Sequence, residues 1–308
     1  MTMTLPAARE GKPAWLPVAP YVFVTVWSMG YVMATIGQTS AAPITLLALR
    51  YLTCVVLLLP LVPLHGVTFP TDPRRIAGIA LTGFLIHVVY FGTSYLALHQ
   101  GMSVAVITLV LSLQPMLTAL LAPWFTRERV TARIWGGLAL GLAGVTIVVL
   151  ARSEVGSFPP SAIVLALVSL LGFSLGTLVD KRVGAGHHLV AANVIQFVVG
   201  SLFCVPIAIA FEGFAFTVTP ELVMAVAYLS IGNSLFALSL LLAMGRYGEV
   251  SRVSSLLYLI PPVASIFAWI VLGQPIPPVL WIGMAIASAG VWLAMRPSPP
   301  RPKRPPTP

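Results

Sequence analysis

One stretch of this chain is written twice, and that repetition constrains the fold more than any other feature. Ala97 through Pro115, followed by Trp135, Gly137, Gly144 and Val145, reappears as Ala243 through Pro261, followed by Trp281, Gly283, Gly290 and Val291. Every pair is offset by 146 positions (243−97, 261−115, 281−135, 290−144). Roughly a dozen identities fall in about fifty aligned positions without a gap; apolar matches come free in such a chain, so the aligned Pro, Trp and Gly carry the weight.

The unit being repeated is apolar. Of 308 residues, 58% are hydrophobic and only 8% charged, whereas a water-soluble domain carries about a quarter charged residues. Ten apolar runs are each long enough to cross about 30 Å of hydrocarbon as a helix. They lie near 15–36, 43–62, 75–98, 103–125, 132–151, 160–182, 188–211, 221–244, 249–273 and 278–296. The expected fold is all-α, a polytopic membrane protein of ten transmembrane helices.

The net charge of +9 would suit nucleic acid, but its placement points elsewhere. Fifteen of the seventeen Lys and Arg fall in alternate loops and the termini, as in Arg74-Arg75, Arg127 with Arg129 and Arg133, and Lys181-Arg182. Arg152 alone lies on the other side, and Arg50 lies within the second run. The positive-inside rule then places both termini in the cytoplasm. The expected partners are the lipid bilayer and a small-molecule substrate, with no nucleic acid. A polar N-terminus leads straight into a full-length run, so no cleavable signal peptide is expected. Cys54 and Cys204 both fall inside apolar runs and read as buried thiols. The segment 297–308 is Pro-rich and basic, and reads as a disordered tail.

The offset of 146 also pairs Ser28 and Gly30 with Ser174 and Gly176, Trp27 with Phe173, Arg50-Tyr51 with Gln196-Phe197, and His87 with Asn233. The chain therefore divides into two five-helix units, 1–151 and 152–296. Five is odd, so the second unit must enter the membrane from the opposite side. The charges agree, since three arginines flank the turn at 126–133 while its echo, Gly273-Gln274-Pro275, carries none. Inverted repeats are a common plan for secondary transporters, with the substrate near the midplane between the halves.

These residues carry a resemblance. Trp27-Ser28-Met29-Gly30, Arg50-Tyr51, Pro115 with Arg127-Glu128, Trp135-Gly136-Gly137 and Ala143-Gly144-Val145 together resemble the EamA-type transporters of the drug/metabolite transporter superfamily. The second copy supplies Pro261 with Gly273-Gln274, Trp281-Ile282-Gly283 and Ala289-Gly290-Val291. Both copies depart from that family's Gly-Glu turn, the first lacking its Gly and the second its Glu. The resemblance covers about residues 13–296. It implies export of metabolites, amino acids prominent among them, and the whole chain is most similar to bacterial aromatic-amino-acid exporters.

All eight acidic residues lie in loops or at helix ends. Coupled carriers usually keep a carboxylate at mid-membrane because so costly a charge is retained for function. The small multidrug exporters of the superfamily use a Glu in their first helix; this chain has none, which counts against antiport of cationic drugs and favours facilitated efflux. Arg50 is the one charge within a run. Two readings stand, an anchor for a carboxylate or a scaffold bond to helix-end carbonyls. His87, Tyr90, Phe91, Ser94 and Tyr95 form one polar and aromatic stripe at helical spacing. His87 reads as cavity lining or as a satisfied core histidine.

The ninth run places Ser254, Tyr258, Pro261 and Pro262 mainly on one face, and the fourth holds Thr108, Ser112, Gln114 and Pro115. A membrane proline frees a backbone carbonyl, which is tolerated only where protein or cavity water satisfies it, so Pro115, Pro261 and Pro262 are candidate hinges. Asn233, Trp27, Tyr31 and Phe173 complete the expected substrate-binding set; core filling is the competing reading of the aromatics. Gly137, Gly141, Gly283 and Ala287 suit close helix contact, within one protomer or between two, so a monomer and a homodimer both remain open. No phosphate loop, paired carboxylates or metal-ligand spacing is found, so neither cofactor nor metal is expected and the chain does not read as an enzyme. The expected function is amino-acid export by alternating access. The alternatives are export of other metabolites, nucleosides or drugs, and proton-coupled antiport.

Overall fold

The computed structural model describes residues 15–64, 66–125, 132–151, 158–183, 189–237, 240, 244 and 259–295. Among them the chain is helical, apart from one isolated bridge between Ala41 and Phe216. Eight helices are long and apolar enough to cross a membrane, and two shorter apolar helices follow them. The described helices are α1 (Ala19–Gly37), α2 (Pro43–Leu58), α3 (Leu61–Leu64), α4 (Pro73–Gly83), α5 (Phe91–His99), α6 (Val104–Leu111), α7 (Gln114–Phe125), α8 (Ala132–Leu150), α9 (Pro160–Val183), α10 (Leu189–Glu212), α11 (Pro220–Ala227), α12 (Ile260–Leu272) and α13 (Pro278–Met295).

Proline sets many of the starts. Pro43, Pro73, Pro160, Pro220 and Pro278 each open a helix, where the missing N–H would have no intrahelical partner anyway. The α2 N-terminus begins after Ala42, which offers no capping side chain. Glu212, at the end of α10, supplies the cap: its carboxylate accepts from the Ile44 and Thr45 amides (3.0 and 2.7 Å) and the Thr45 hydroxyl (2.8 Å). Gln274, which stands where the resembled family keeps Glu, accepts from the Val104 amide at the head of α6 (3.0 Å). Gly273 ends α12 at φ 66°, the left-handed cap that Gly adopts without strain. The corresponding turn of the first unit, Arg127-Glu128, lies outside the described residues.

The third and eighth spans each contain a π-helical stretch, Phe84–Tyr90 between α4 and α5, and Tyr228–Ala237 after α11. Shifting the first by 146 gives 230–236, inside the second. The fourth span is broken at Ser112 and Leu113, between Leu111 and Gln114, just before Pro115, which cannot donate to the preceding turn. Pro261 occupies the first turn of α12.

Helix contacts follow the same offset. The pairs α2 with α10 and α8 with α13 each join a helix to its own counterpart. The contact of α1 with α12 is echoed by that of α9 with α6 and α7. Likewise α1 packs on the second π stretch as α9 packs on the first. Gly144 touches the backbone of Gly283 and Ala287, while Gly290 touches that of Gly137 and Gly141, so α8 and α13 run antiparallel. The small residues at these positions serve a contact within one chain.

Candidate functional site

The helix packing brings Trp27, Gly30 and Tyr31 of α1 against Tyr90, Phe91 and Tyr95 of the third span and Asn233 of the eighth. Together they line a small cavity, with room in this conformation for about one water molecule. Five side chains nominated from the sequence meet here: Trp27, Tyr31, Tyr90, Phe91 and Asn233.

The walls are fixed from behind. The Tyr31 and Tyr90 hydroxyls share a hydrogen bond (3.0 Å), and Phe173 stacks on Tyr90 with centroids 4.5 Å apart. Ser169 donates to the Tyr90 carbonyl (2.8 Å), and the Tyr51 hydroxyl donates to that of His87 (2.8 Å). A π turn displaces helical partners, and these side chains satisfy backbone oxygens along it. Gly30 is required by close approach, because a Cβ there would meet the Asn233 amide carbon at 2.9 Å.

Arg50 lies directly behind this wall and is 2% exposed. Its Nε donates to Ser234 (2.9 Å), its Nη1 donates to the Tyr95 hydroxyl (3.1 Å), and its guanidinium carbon lies 4.3 Å from the centre of the Phe91 ring. Both hydrogen-bond acceptors are neutral hydroxyls. Of the two sequence readings, the bond to helix-end carbonyls is not what the guanidinium makes. Ser234 and Tyr95 are the functional neighbours that the nominated set omits; Tyr95 stood in the helical stripe, whereas Ser234 had only its place beside Asn233.

The remaining nominated residues among those described lie apart from the cavity wall. His87 is buried against Phe197 (4.7 Å) and Tyr51 (4.9 Å), and its Nδ1 has no hydrogen-bond partner among the described residues. Tyr90, Phe91 and Tyr95 line the cavity and His87 and Ser94 do not; the π stretch alters the spacing of His87 to the others, whereas Ser94 keeps α-helical spacing to Phe91 and Tyr95. Ser94 is buried and donates to the Phe91 carbonyl (3.0 Å). Gln114 donates to Thr118 (3.0 Å) and Thr177 (3.1 Å). Ser254 and Tyr258 lie outside the described residues, and Pro262 is half-buried near the start of α12. Cys54 and Cys204 are free and buried, and no cluster of metal-ligating side chains occurs among the described residues.

An all-helical bundle with eight membrane-length spans around a small central cavity defines a polytopic membrane transporter. The chain belongs to the EamA-like transporter family, whose description matches it twice, over residues 19–150 and 160–296. It is 24% identical over 271 residues to the "Uncharacterized inner membrane transporter YedA" of Escherichia coli K12, covering 87% of this chain and 86% of that one. A "Probable amino-acid metabolite efflux pump" of Salmonella typhimurium is 24% identical over 284 residues, covering 88% and 91%. A "Probable terminal-alkyne amino-acid exporter" of Streptantibioticus cattleyicolor is 29% identical over 194 residues, covering 61% and 63%. A solved structure described only as "Crystal structure of protein" has a TM-score of 0.65 at 20% identity, covering 92% of this chain and 97% of that one; the likeness is one of fold.

Proposed function

We propose that this protein exports aromatic and other neutral amino acids across the bacterial inner membrane by alternating access. The observation that carries the reading is the aromatic cavity with a buried, carboxylate-free cation at its back. Trp27, Tyr31, Tyr90, Phe91 and Tyr95 offer ring faces to an apolar side chain, and Arg50 offers a guanidinium suited to a carboxylate. The names borne by two relatives, an amino-acid metabolite efflux pump and an amino-acid exporter, favour the same cargo.

The proposed topology is ten spans in two inverted units, 1–151 and 152–296, with both termini and the 297–308 tail cytoplasmic. It counts α12 and α13 as parts of the ninth and tenth spans. Its support is the offset of 146 that relates the helix contacts, the two π stretches and the antiparallel pair α8 and α13. Pro115 and Pro261, one in each unit, are the proposed hinges, with Pro262 beside the second. Phe173, Gln114, Ser94 and His87 stand behind the wall, and Ser254 and Tyr258 complete the proposed set. The proposed transport is facilitative, since a coupled carrier usually keeps a carboxylate at mid-membrane.

The test is a radiolabelled panel in vesicles reconstituted with the pure protein. Aromatic and neutral amino acids should exchange, and nucleosides and cationic drugs should not. A panel in which only nucleosides or drugs exchanged would replace this cargo with that one.

A further inference from the structure

Two buried polar groups of opposite hydrogen-bonding character stand at the cavity, one behind its wall and one in it. On one side is the Arg50 guanidinium, donor only. Among the described residues, the ionisable side chains that act on it are Tyr31, Tyr51, Tyr90, Tyr95, Cys54 and His87, and none of them is a carboxylate. Its hydroxyl acceptors, Ser234 and Tyr95, are the kind of partner a carboxylate displaces, because charge-assisted bonds are roughly twice as strong as neutral ones. On the other side is Asn233, 4% exposed, whose Oδ1 has no partner among the described residues although it lines the cavity. A buried acceptor left unpaired is costly and uncommon, and one carried by a cavity-lining residue marks where a donor belongs. Gly30 clears the space this amide occupies, so the seat is built for it. Ser234 ties the two groups together, as the acceptor of Arg50 and the next residue after Asn233.

We propose that the cavity recognises an α-amino acid zwitterion at two points, its carboxylate at Arg50 and its ammonium at the Asn233 side-chain oxygen. This rests on the amino-acid exporter reading and sharpens it. The cargo must carry both charges, and the aromatic wall takes the side chain. A monocarboxylate would leave the Asn233 oxygen unpaired, and an amine would leave Arg50 without its anion. Each loss falls on a buried group, which is how a buried polar site rejects analogues that lack one group.

The experiment is competition against labelled phenylalanine counterflow in reconstituted vesicles, with phenylalanine, 3-phenylpropionate and 2-phenylethylamine as competitors. For the unmodified protein, phenylalanine should compete at least about tenfold better than either analogue, a factor worth one full lost contact. In Asn233→Ala the advantage over 3-phenylpropionate should collapse, and in Arg50→Gln the advantage over 2-phenylethylamine should collapse. If the unmodified protein exchanges phenylalanine but either analogue competes equally well, two-point recognition is wrong and the exporter reading survives. If it exchanges no amino acid at all, the exporter reading itself fails. Retained discrimination against 3-phenylpropionate in Asn233→Ala would also overturn the assignment of Asn233; where that variant does not assemble, the competition on the unmodified protein decides.

Discussion

Gly144 lies against the backbone of Gly283 so closely that a Cβ built on it would stand 2.6 Å from the Gly283 carbonyl oxygen. Gly290 stands in the same relation to Gly137, also at 2.6 Å, and the two contacts interchange under the offset of 146. In lipid, where the hydrophobic effect does not drive helices together, such backbone approach is how they gain packing energy.

Adding one methyl at this crossing should therefore destabilise the protein. Gly144→Ala should cost about 1–3 kcal/mol through overpacking, and Gly290→Ala a similar amount. Gly92→Ala is the contrasting case, since its Cβ would meet only Ile44, at 3.8 Å. It should gain about 0.5–1 kcal/mol of helix propensity instead. Unfolding in detergent micelles, followed by helical circular dichroism, separates the two outcomes.

The hydroxyl pair of Tyr31 and Tyr90 joins two walls of the cavity. Tyr31→Phe and Tyr90→Phe should each lose about 1 kcal/mol of stability. The double variant should cost little more than either single one, because both remove the same bond. A double-mutant cycle measures that coupling directly.

Much of this was legible in the sequence, for identifiable reasons. The spans were visible because membrane helices need uninterrupted apolar runs, and prolines such as Pro43, Pro160 and Pro278 mark where they begin. Trp27, Tyr31, Tyr90, Phe91 and Asn233 were each nominated and converge on one cavity. The π stretches were not legible, because tertiary packing sets them and no residue type announces them. The first of them spans His87, so α-helical spacing does not carry His87 onto the cavity face. The Glu212 cap was equally hidden, since it joins residues 168 positions apart in sequence at Ile44.

That cap has a measurable weight. Glu212→Ala removes three acceptor contacts from the α2 N-terminus and should cost about 1–2 kcal/mol. Glu212→Gln keeps an acceptor without the charge and should cost less. Equal losses in the two variants would mean that a neutral acceptor caps nothing there and the charge carries the whole effect.

Pro115 interrupts the fourth span between α6 and α7. Pro115→Ala restores an N–H that can reach the carbonyl of the preceding turn, so the span should become more continuous and more stable. Counterflow should fall several-fold as the hinge stiffens, on the order of 1 kcal/mol in barrier height. Transport at the unmodified rate would reduce Pro115 to a feature of packing.

The most direct measurement of the central claim is trans-stimulation of phenylalanine efflux from vesicles with equal pH on both sides. A facilitative alternating-access carrier should lose labelled phenylalanine several-fold faster when unlabelled phenylalanine is present outside, because the loaded protein reorients faster than the empty one. Efflux indifferent to external phenylalanine, or flux that appears only under an imposed pH gradient, would contradict it.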